Sequence, residues 1–310
     1  MLDHVYYKTK SLVRPLTQHR RLWERAKYIR ASILSAQAGN DALRQSFGRP
    51  CATGKIGSGE MAALRHYLRR SDSRGVCHSW NSHAGRNLYR IAGVYPPEPE
   101  VLSRFCQLYI DALTDLDFLA VWFNFGEHAA WRRFASSATL TELDTLEPYY
   151  NSHPWSHSLA GKRVLVVTPF TLTIQRQYQR RKEVWKSNPG LLPDCDLFTL
   201  RVPLSSYVSK PEYLDWFAAL DAMKHQMESC RFDVAIVGAG AWSLPLVAHA
   251  KRLGAWAIHL GGSTQILFGI RGRRWEKNPR IMRFCNEAWV RPSAEETPGN
   301  ASAIEGGCYW

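Results

Sequence analysis

The stretch that decides the fold is DVAIVGAGAWSLPLVAHAKRLGAWAIHLGG, residues 233–262. It reads as an apolar strand, a turn with glycines, a helix and a second apolar strand. Two strands joined by a crossover helix are the unit of a parallel sheet. Ligands of such sheets bind where the strands end. That edge carries Thr168, Pro169, Gly238, Gly240, His259, Gly261 and Gly262.

The glycine turn meets only part of the dinucleotide-binding fingerprint. Gly238 and Gly240 occupy the first two glycine positions of GxGxxG, and Ser243 occupies the third, where a small residue lets a helix pack against a strand. The acidic residue expected about 20 positions later, which would bind a ribose, is missing. Three interpretations therefore stay open: an NAD site, a tight turn without a ligand, and a site for another phosphate-bearing or sugar ligand.

Strands and helices alternate along most of the chain. Predicted strands lie at 118–125, 162–170, 195–203, 232–240 and 255–262, and a further short strand ends at Ile56. Predicted helices cover 16–38, 98–115, 127–135, 171–186, 211–229 and 242–253, and another begins near Glu60. Residues 78–95 are predicted to form a functional loop and residues 291–310 an irregular tail. We expect an α/β fold with a Rossmann-like parallel sheet and crossover helices, divided into a basic N-terminal helical extension at 1–45 and a single domain at 46–310.

The composition restricts the partners. The formal net charge of +13 and the pI near 9.6 favour anionic partners such as nucleotides or anionic lipid. We expect no nucleic-acid partner, because no helix-turn-helix, zinc-finger, RRM or KH signature accompanies the charge. The seven cysteines lack a CxxC pair, which argues against a disulfide framework or a zinc site. No secretory signal and no apolar run of about 18 residues are present, so we expect a cytoplasmic protein.

The predicted N-terminal helix at 16–38 has one apolar and one basic face. Its apolar residues at helical spacing are Leu22, Ala26, Ile29, Ile33 and Leu34. The basic face has two interpretations, a solvated charged surface or a dock for acidic lipid headgroups or for a partner. The second interpretation predicts peripheral contact with the inner face of an anionic membrane.

Several blocks of the sequence together resemble the GT-D-type glycosyltransferases, a bacterial family with its own variant of the Rossmann-like fold. The blocks are GKIGSGE (54–60), KRVLVVTPFTLTIQRQ (162–177), the stretch 233–276, NEAWVRP (286–292) and EGGCYW (305–310). In order and spacing they cover roughly residues 50 to 310. The 44-residue block is long enough to be specific, whereas the short blocks carry little alone.

The resemblance implies transfer of a sugar from a nucleotide-sugar donor to a glycan or lipid-linked acceptor, in assembly of surface polysaccharides or glycoproteins. In that family an Asp-x-Glu motif helps to bind a divalent metal, Mn²⁺ or Mg²⁺, and the donor diphosphate. The matching stretch here is Ser58-Gly59-Glu60, and a serine hydroxyl is a weak ligand for a hard cation. Three outcomes follow: Glu60 holds the metal with waters, basic side chains replace the metal, or the protein is a non-catalytic nucleotide- or glycan-binding subunit of a polysaccharide assembly complex.

On this interpretation the two glycine turns form the donor side of the site. Predicted donor- and nucleotide-binding residues are Lys55, Gly57, Ser58, Gly59, Gly238, Gly240 and Arg271. Main-chain N–H groups and cations can stabilise the charge of a departing diphosphate as a metal would. Arg273 and Arg274 are further candidates for that role, and an ordinary surface position is the alternative for each arginine.

The remaining predictions concern the acceptor side and the general base. Glu287 is the first candidate for the base that removes the acceptor proton, with an ordinary ion pair as its alternative. Glu60 is predicted as a catalytic or metal ligand, or as a charge that stabilises a helix N-terminus. Sugar- and acceptor-binding residues are predicted at His259, Gly261, Gly262, Gln265, Trp275 and Glu276. Glu276 could instead form a salt bridge, and Trp275 could instead belong to the core.

Overall fold

The computed structural model of the chain describes residues 18–80, 82–203 and 210–310. Its centre is one sheet of eight strands, and all described strand pairs are parallel. The strands are β1 (Ile33–Leu34), β2 (Cys51–Gly54), β3 (Phe118–Val121), β4 (Thr139–Glu142), β5 (Arg163–Thr168), β6 (Asp196–Arg201), β7 (Val234–Val237) and β8 (Trp256–His259). The predicted α/β class with a parallel sheet and crossover helices is confirmed.

Helices connect the strands and cover both faces of the sheet. They are α1 (18–26), α2 (Ala36–Gln45), α3 (Ser58–Arg70), α4 (Ser82–Arg90), α5 (Pro99–Thr114), α6 (Glu127–Phe134), α7 (Thr171–Gln179), α8 (Arg181–Val184), α9 (Trp216–Ser229), α10 (Ser243–Arg252), α11 (Ser263–Leu267), α12 (Arg273–Glu276) and α13 (Pro279–Met282). No helix in the described part of the chain is long and apolar enough to cross a bilayer.

The apolar strands divide the core into two clusters, one on each face of the sheet. Along β7, Ala235 and Val237 belong to one cluster, while Val234 and Ile236 belong to the other. The same alternation occurs in β5 and β8. Successive side chains of a strand point to opposite faces, so a strand buried on both faces must be apolar throughout. This requirement explains why these strands appear in the sequence as unbroken apolar runs.

The strand order places the first long strand beside the last one. Across the sheet the order is β1-β4-β3-β2-β8-β7-β5-β6, so β2 and β8 are neighbours at the centre. Thr53 of β2 lies opposite Ile258 of β8. Because both strands run in the same direction, the segments that follow them, from Lys55 and from Leu260, emerge together at one edge. The site described below is at this edge, where the ligands of parallel sheets bind.

The N-terminal helix differs from its prediction in length and in orientation. In the described residues α1 ends at 26, and Ile33–Leu34 form strand β1 rather than helix. Leu22 and Ile29, expected on the packed face, are 63% and 87% exposed. The packed face instead carries Glu24, which is fully buried and accepts a hydrogen bond from the His128 main chain at 2.9 Å.

The N-terminal residues are also partly integrated into the sheet. Strand β1 pairs with β4, and α2 follows it directly, so both belong to the α/β fold although they lie within 1–45. The division into an extension and a domain at residue 45 stays a prediction. Elsewhere, the loop predicted at 78–95 contains helix α4, and the strand predicted at 118–125 ends at Val121 because Phe123 adopts a positive φ of 57°.

Candidate anion-binding site at the centre of the sheet

Lys55 follows β2 and lies in the middle of the sheet edge. Its Nζ donates a hydrogen bond to the main-chain oxygen of Leu260 at 3.1 Å and lies 5.7 Å from the centre of the Trp122 ring. Burial lowers the pKa of Lys55 to about 8; the Glu147 carboxylate opposes this shift and the Arg274 cation adds to it. Lys55 is therefore mostly charged at neutral pH, and it is a cation that few waters solvate.

The Gly261–Gly262 bend lets two cations approach the same main chain. A Cβ atom at Gly261 would lie 3.3 Å from Lys55 Cε, and Gly261 adopts a φ of 64°, which favours glycine. A Cβ atom at Gly262 would lie 3.3 Å from Arg274 Nη1 and 3.4 Å from the Trp275 ring. Side chains at either position would push against these groups. The bend is thus a bare main-chain surface with a lysine on one side and an arginine on the other.

Arg274 is held in place by the C-terminal residues. Its guanidinium lies 4.8 Å from the centre of the Trp275 ring and 4.9 Å from that of Tyr309. The Arg274 main-chain N–H donates to the Cys308 oxygen at 3.0 Å. Gln265 Nε2 donates to the Tyr309 oxygen at 2.8 Å. The tail, predicted to be irregular, is therefore fixed against this edge of the sheet.

Glu147 is an acidic member of the site that the sequence did not indicate. It lies between two short 3₁₀ turns, Leu143–Leu146 and Pro148–Tyr150, and its Oε1 accepts a hydrogen bond from Ser263 Oγ at 2.6 Å. Its negative charge also acts on Lys55. If strand β4 had been recognised in the sequence, Glu147 would have been placed shortly after the carboxyl end of that strand. That signal was missed because β4 is only four residues long, with a mixed polar and apolar sequence.

His259 ends β8 opposite Val237 and is 8% exposed. Burial lowers its pKa to about 3, and the neighbouring Lys55 cation adds to the shift. The imidazole is neutral at physiological pH. Its Nδ1 has no hydrogen-bond partner among the residues that the structure describes. A neutral ring with an unused nitrogen suits contact with an uncharged polar group such as a hydroxyl.

Glu60 lies in the first turn of α3, where its side chain folds back toward Gly57, the N-terminal cap of the helix. Burial raises the pKa of Glu60, and the Glu305 carboxylate adds to this shift. Ser58 is exposed, and a Cβ atom at Gly59 would meet no other atom within 4 Å. In this position Glu60 serves the helix terminus, which is the structural alternative that its sequence position allowed.

The donor set around Glu60 does not fit the divalent metal that the resemblance implies. Within residues 18–80, 82–203 and 210–310, no three His, Cys, Asp or Glu side chains are grouped so that they could hold a metal ion. Glu305 is near enough to act electrostatically on Glu60, but the first position of the motif is the neutral hydroxyl of Ser58. A hard cation prefers several charged oxygen ligands. The described side chains around Glu60 therefore offer too few anionic oxygens to hold such a cation by themselves.

The Gly238–Ser243 turn packs against the segment that contains Gly261 and Thr264. A Cβ atom at Gly238 would lie 2.6 Å from Thr264 Oγ1 and 2.8 Å from the Gly261 oxygen. Ser243 Oγ accepts a hydrogen bond from the Ala239 N–H at 2.9 Å and closes the turn. The Gly238 turn therefore packs against the Gly261–Gly262 bend, and the space in front of Gly238 is filled by protein. Its predicted convergence with the Gly57–Glu60 turn stays a prediction. Gly240 is exposed, with Ala92 as its neighbour.

Glu287 lies outside this cluster. Its side chain is 75% exposed and forms an ion pair with Lys186, and this contact lowers the pKa of Glu287. The neighbouring Asn286 binds the main chain at Glu183 and Val184. These contacts belong to the packing of α8, so the geometry gives no support to Glu287 as the general base. The sequence allowed an ion pair of Glu287 with Arg291 or Arg283, whereas the observed partner is Lys186.

The remaining predicted residues are engaged within the protein. Glu276 forms an ion pair with Arg291, and Trp275 Nε1 donates to Gln265 Oε1 at 3.4 Å. The Arg271 main-chain N–H donates to the Val290 oxygen at 2.8 Å, while its side-chain Nε has no partner among the described residues. Of this group Trp275 borders Gly262 with its ring, and Gln265 donates its main-chain N–H to the Gly262 oxygen at 3.1 Å. The others support the segment that carries Arg274.

No protein-family model and no curated protein sequence matches this chain. Among solved structures, the fold is similar to one described as a new glycosyltransferase (DUF1792) from Streptococcus sanguinis, with a TM-score of 0.44 and 13% identity over 89% of this chain and 99% of that one. It is also similar to a structure whose description reads "the highly conserved domain of unknown function 1792 has a distinct glycosyltransferase fold", with a TM-score of 0.41 and 16% identity over 78% and 82% of the two chains. A selenomethionine-substituted structure of domain of unknown function 1792 gives a TM-score of 0.40 and 13% identity over 75% and 78%. These likenesses are too distant to assign an activity to this chain.

Proposed function

We propose that this protein transfers a sugar from a nucleotide-sugar donor to a hydroxyl group of a glycan or lipid-linked acceptor. The observation that carries the proposal is the convergence of Lys55 and Arg274 on the bare Gly261–Gly262 main chain. Two cations on one glycine bend at the carboxyl edge of a parallel sheet are suited to a ligand with two adjacent negative charges. A diphosphate linked to a nucleoside is such a ligand.

The same cations would help the reaction as well as the binding. When the bond between the anomeric carbon and the diphosphate oxygen breaks, negative charge develops on the departing diphosphate. Lys55 and Arg274 are fixed before the reaction by Leu260 and by the aromatic rings of Trp275 and Tyr309. Preorganised cations of this kind stabilise developing charge without reorganisation at the moment of reaction. This is the role that the resemblance assigned to a metal, and here the protein's own side chains perform it.

Glu147 is our candidate for the general base in place of Glu287. Its carboxylate shares the site with Lys55, and its Oε1 accepts the hydrogen bond from Ser263. In the proposed reaction Glu147 removes the proton of the acceptor hydroxyl, the acceptor oxygen bonds to the anomeric carbon, and the nucleoside diphosphate leaves. His259, which is neutral, and Trp275 would contact sugar hydroxyls and the face of the sugar ring.

The proposal is tested by measuring transfer and donor hydrolysis over a panel of nucleotide sugars, with and without Mn²⁺. The matched variants are Arg274→Met and Arg273→Met, because both arginines are exposed and adjacent but only Arg274 is among the groups nearest Gly262. We expect R274M to lower kcat/KM about 100-fold, an effect of about 2.7 kcal/mol on transition-state stabilisation, and R273M to have little effect. Equal rates for the two variants would contradict the assignment.

A non-catalytic nucleotide- or glycan-binding subunit is the second candidate. It is favoured by the position of Glu60, whose carboxylate folds onto its own helix terminus, and by Ser58 in place of an acidic residue. Binding of nucleoside diphosphates without turnover of any donor in the panel would favour this candidate. Turnover of even one donor that R274M abolishes would exclude it.

A further inference from the structure

Helix α1 and the turn that follows it leave large apolar side chains in solvent. Leu22, Trp23 and Ile29 are 63%, 56% and 87% exposed, although the helical spacing predicts a packed stripe. The face of the segment that does pack carries Glu24 and Tyr28, and the Tyr28 ring stacks 5.7 Å from that of Trp131. Single exposed apolar residues are common, but three within eight residues of one segment are an unusual concentration of exposed apolar surface.

Basic side chains alternate with these exposed apolar residues along the segment. Between residues 18 and 30 the only acidic side chain is Glu24, which is buried, whereas the five basic ones are Arg20, Arg21, Arg25, Lys27 and Arg30. Lys27 Nζ lies 3.6 Å from the centre of the Trp23 ring, and the guanidinium of Arg65 lies 4.4 Å from that of Phe125. We call residues 18–30, with Arg65 and Phe125, the α1 surface. It carries an excess of positive charge interleaved with aromatic rings.

The α1 surface also contains an open, shallow hollow of about 410 Å³, lined by His19, Arg20, Trp23 and Phe125. The accessible surface of this hollow is almost entirely apolar. It therefore suits an acyl chain rather than a polar headgroup, and the exposed Leu22 and Ile29 of the same segment can also enter an apolar layer. The surface therefore combines a basic and an apolar component on one segment.

We propose that the α1 surface docks on an anionic lipid bilayer. Basic residues attract anionic headgroups, while tryptophan and aliphatic residues gain free energy by entering the boundary between headgroups and acyl chains. A nucleic acid would use the cations through its phosphates but would gain nothing from exposed Leu22 and Ile29. The mixture of both components favours the bilayer.

The α1 surface adjoins the anion-binding site through one ring. Arg21 lies 6.0 Å from the centre of the Trp122 ring, and Lys55 Nζ lies 5.7 Å from the same ring. Docking would hold the site close to the headgroup layer, where a lipid-linked acceptor presents its hydroxyl. This consequence rests on the proposed function, whereas docking itself does not.

The test is co-sedimentation of the full chain with phosphatidylcholine vesicles that contain or lack about one quarter phosphatidylglycerol, without any donor. The charge variant is R20E/R21E, and its control is R176E/K182E, which makes the same change in net charge in a different basic cluster. The apolar variant is L22S/I29S, and its control is L214S/L253S, since Leu214 and Leu253 are also exposed. Thermal unfolding of every variant verifies that it is folded.

We expect the wild-type chain to prefer anionic vesicles, and R20E/R21E to lower the partition coefficient about tenfold while its control lowers it less than about threefold. L22S/I29S should lower it about fivefold and its control should leave it unchanged. The proposal is overturned by absence of a preference for anionic vesicles, or by equal losses in variants and controls. It is also overturned if L22S/I29S has no effect on vesicle binding and R20E/R21E weakens binding to single-stranded RNA as strongly as it weakens binding to anionic vesicles. Donor binding at Lys55 is measured separately, so failure to bind a donor would contradict the proposed function without changing the result on vesicle binding.

Discussion

The Lys55 ammonium donates a hydrogen bond to the main-chain oxygen of Leu260, 205 positions later in the chain, at 3.1 Å. This contact joins the segment after β2 to the segment after β8, which are neighbours at the centre of the sheet. It directs a poorly solvated cation at the Gly261–Gly262 bend. The charge of Lys55 and its proximity to Arg274 are the basis of the proposed function.

Binding of a nucleoside diphosphate should weaken as pH rises through 8. Burial lowers the pKa of Lys55 from 10.5 to about 8, so the free protein loses this charge over roughly pH 7 to 9. An anion binds the protonated lysine, and its affinity therefore falls as the lysine loses its proton, by about tenfold over this range. Titration calorimetry at several pH values measures the change. In Lys55→Arg the affinity should be nearly independent of pH, and a parallel decline in that variant would assign the effect to another group.

Glu147→Gln should lower the rate of transfer while donor affinity is preserved. The carboxylate is proposed to accept the acceptor proton, and its amide analogue cannot, so we expect kcat to fall about 100-fold or more. Glu287→Gln is the matched control, because Glu287 is exposed and paired with Lys186. Steady-state kinetics together with direct donor binding separate the two effects. An unchanged kcat in E147Q, or a large loss in E287Q, would reverse the assignment of the base.

Gly238→Ala should destabilise the protein more than Gly240→Ala. A Cβ atom at Gly238 would lie 2.8 Å from the Gly261 oxygen and 2.6 Å from Thr264 Oγ1, so main chain would have to move. At Gly240 the nearest atom would be the Ala92 oxygen at 3.8 Å, and only the positive φ of 55° opposes a side chain. We expect losses of about 3 and about 1 kcal/mol in the free energy of unfolding. Urea denaturation measures both, and equal losses would show that Gly238 is not closely packed.

Glu127→Ala should destabilise the turn after β3. The Glu127 carboxylate is fully buried and accepts the main-chain N–H groups of Trp122 at 3.1 Å and Asn124 at 2.9 Å. Removal leaves these N–H groups without partners, which costs about 2–3 kcal/mol of the free energy of unfolding. Burial raises the pKa of Glu127 to about 8, so Glu127→Gln should stay close to wild type at pH 7. Glu183→Ala, at an exposed position, is the control in urea denaturation and should lower the free energy of unfolding only slightly. An equally small loss in E127A would contradict the role of Glu127 in holding these N–H groups.

The sequence predicted most of the sheet because strands buried on both faces are continuous apolar runs. It missed β4, whose outer residues Thr139 and Glu142 are exposed, and β1, which has two residues and lies inside a run with helical spacing. The error in α1 has a specific cause. Its apolar spacing indicated a packed stripe, but the hydrogen bond from His128 and the stacking with Trp131 favour the face with Glu24 and Tyr28.

For the site, the sequence predicted the glycine bend and Lys55 but not the acidic partner or the anchoring tail. Glycine turns after strands can be recognised in the sequence, because glycine at such a position usually indicates a sharp bend or a close approach of the main chain to another group. The proximity of Glu147 to Lys55 and the packing of Tyr309 on Arg274 depend on how distant segments meet. Conversely, Glu287 looked suitable in its motif, and only its ion pair with Lys186 reveals an exposed position.

The most direct test of the central claim is titration calorimetry of nucleoside diphosphates in EDTA with the wild type, Lys55→Met and the exposed control Lys277→Met. If Lys55 and Arg274 hold the diphosphate, the wild type and K277M bind without metal and prefer the diphosphate to the free nucleoside. K55M should then bind about 30-fold more weakly, which corresponds to about 2 kcal/mol for a charged hydrogen bond. Equal affinities for K55M and the wild type, or no diphosphate binding by the wild type in EDTA, would contradict the account.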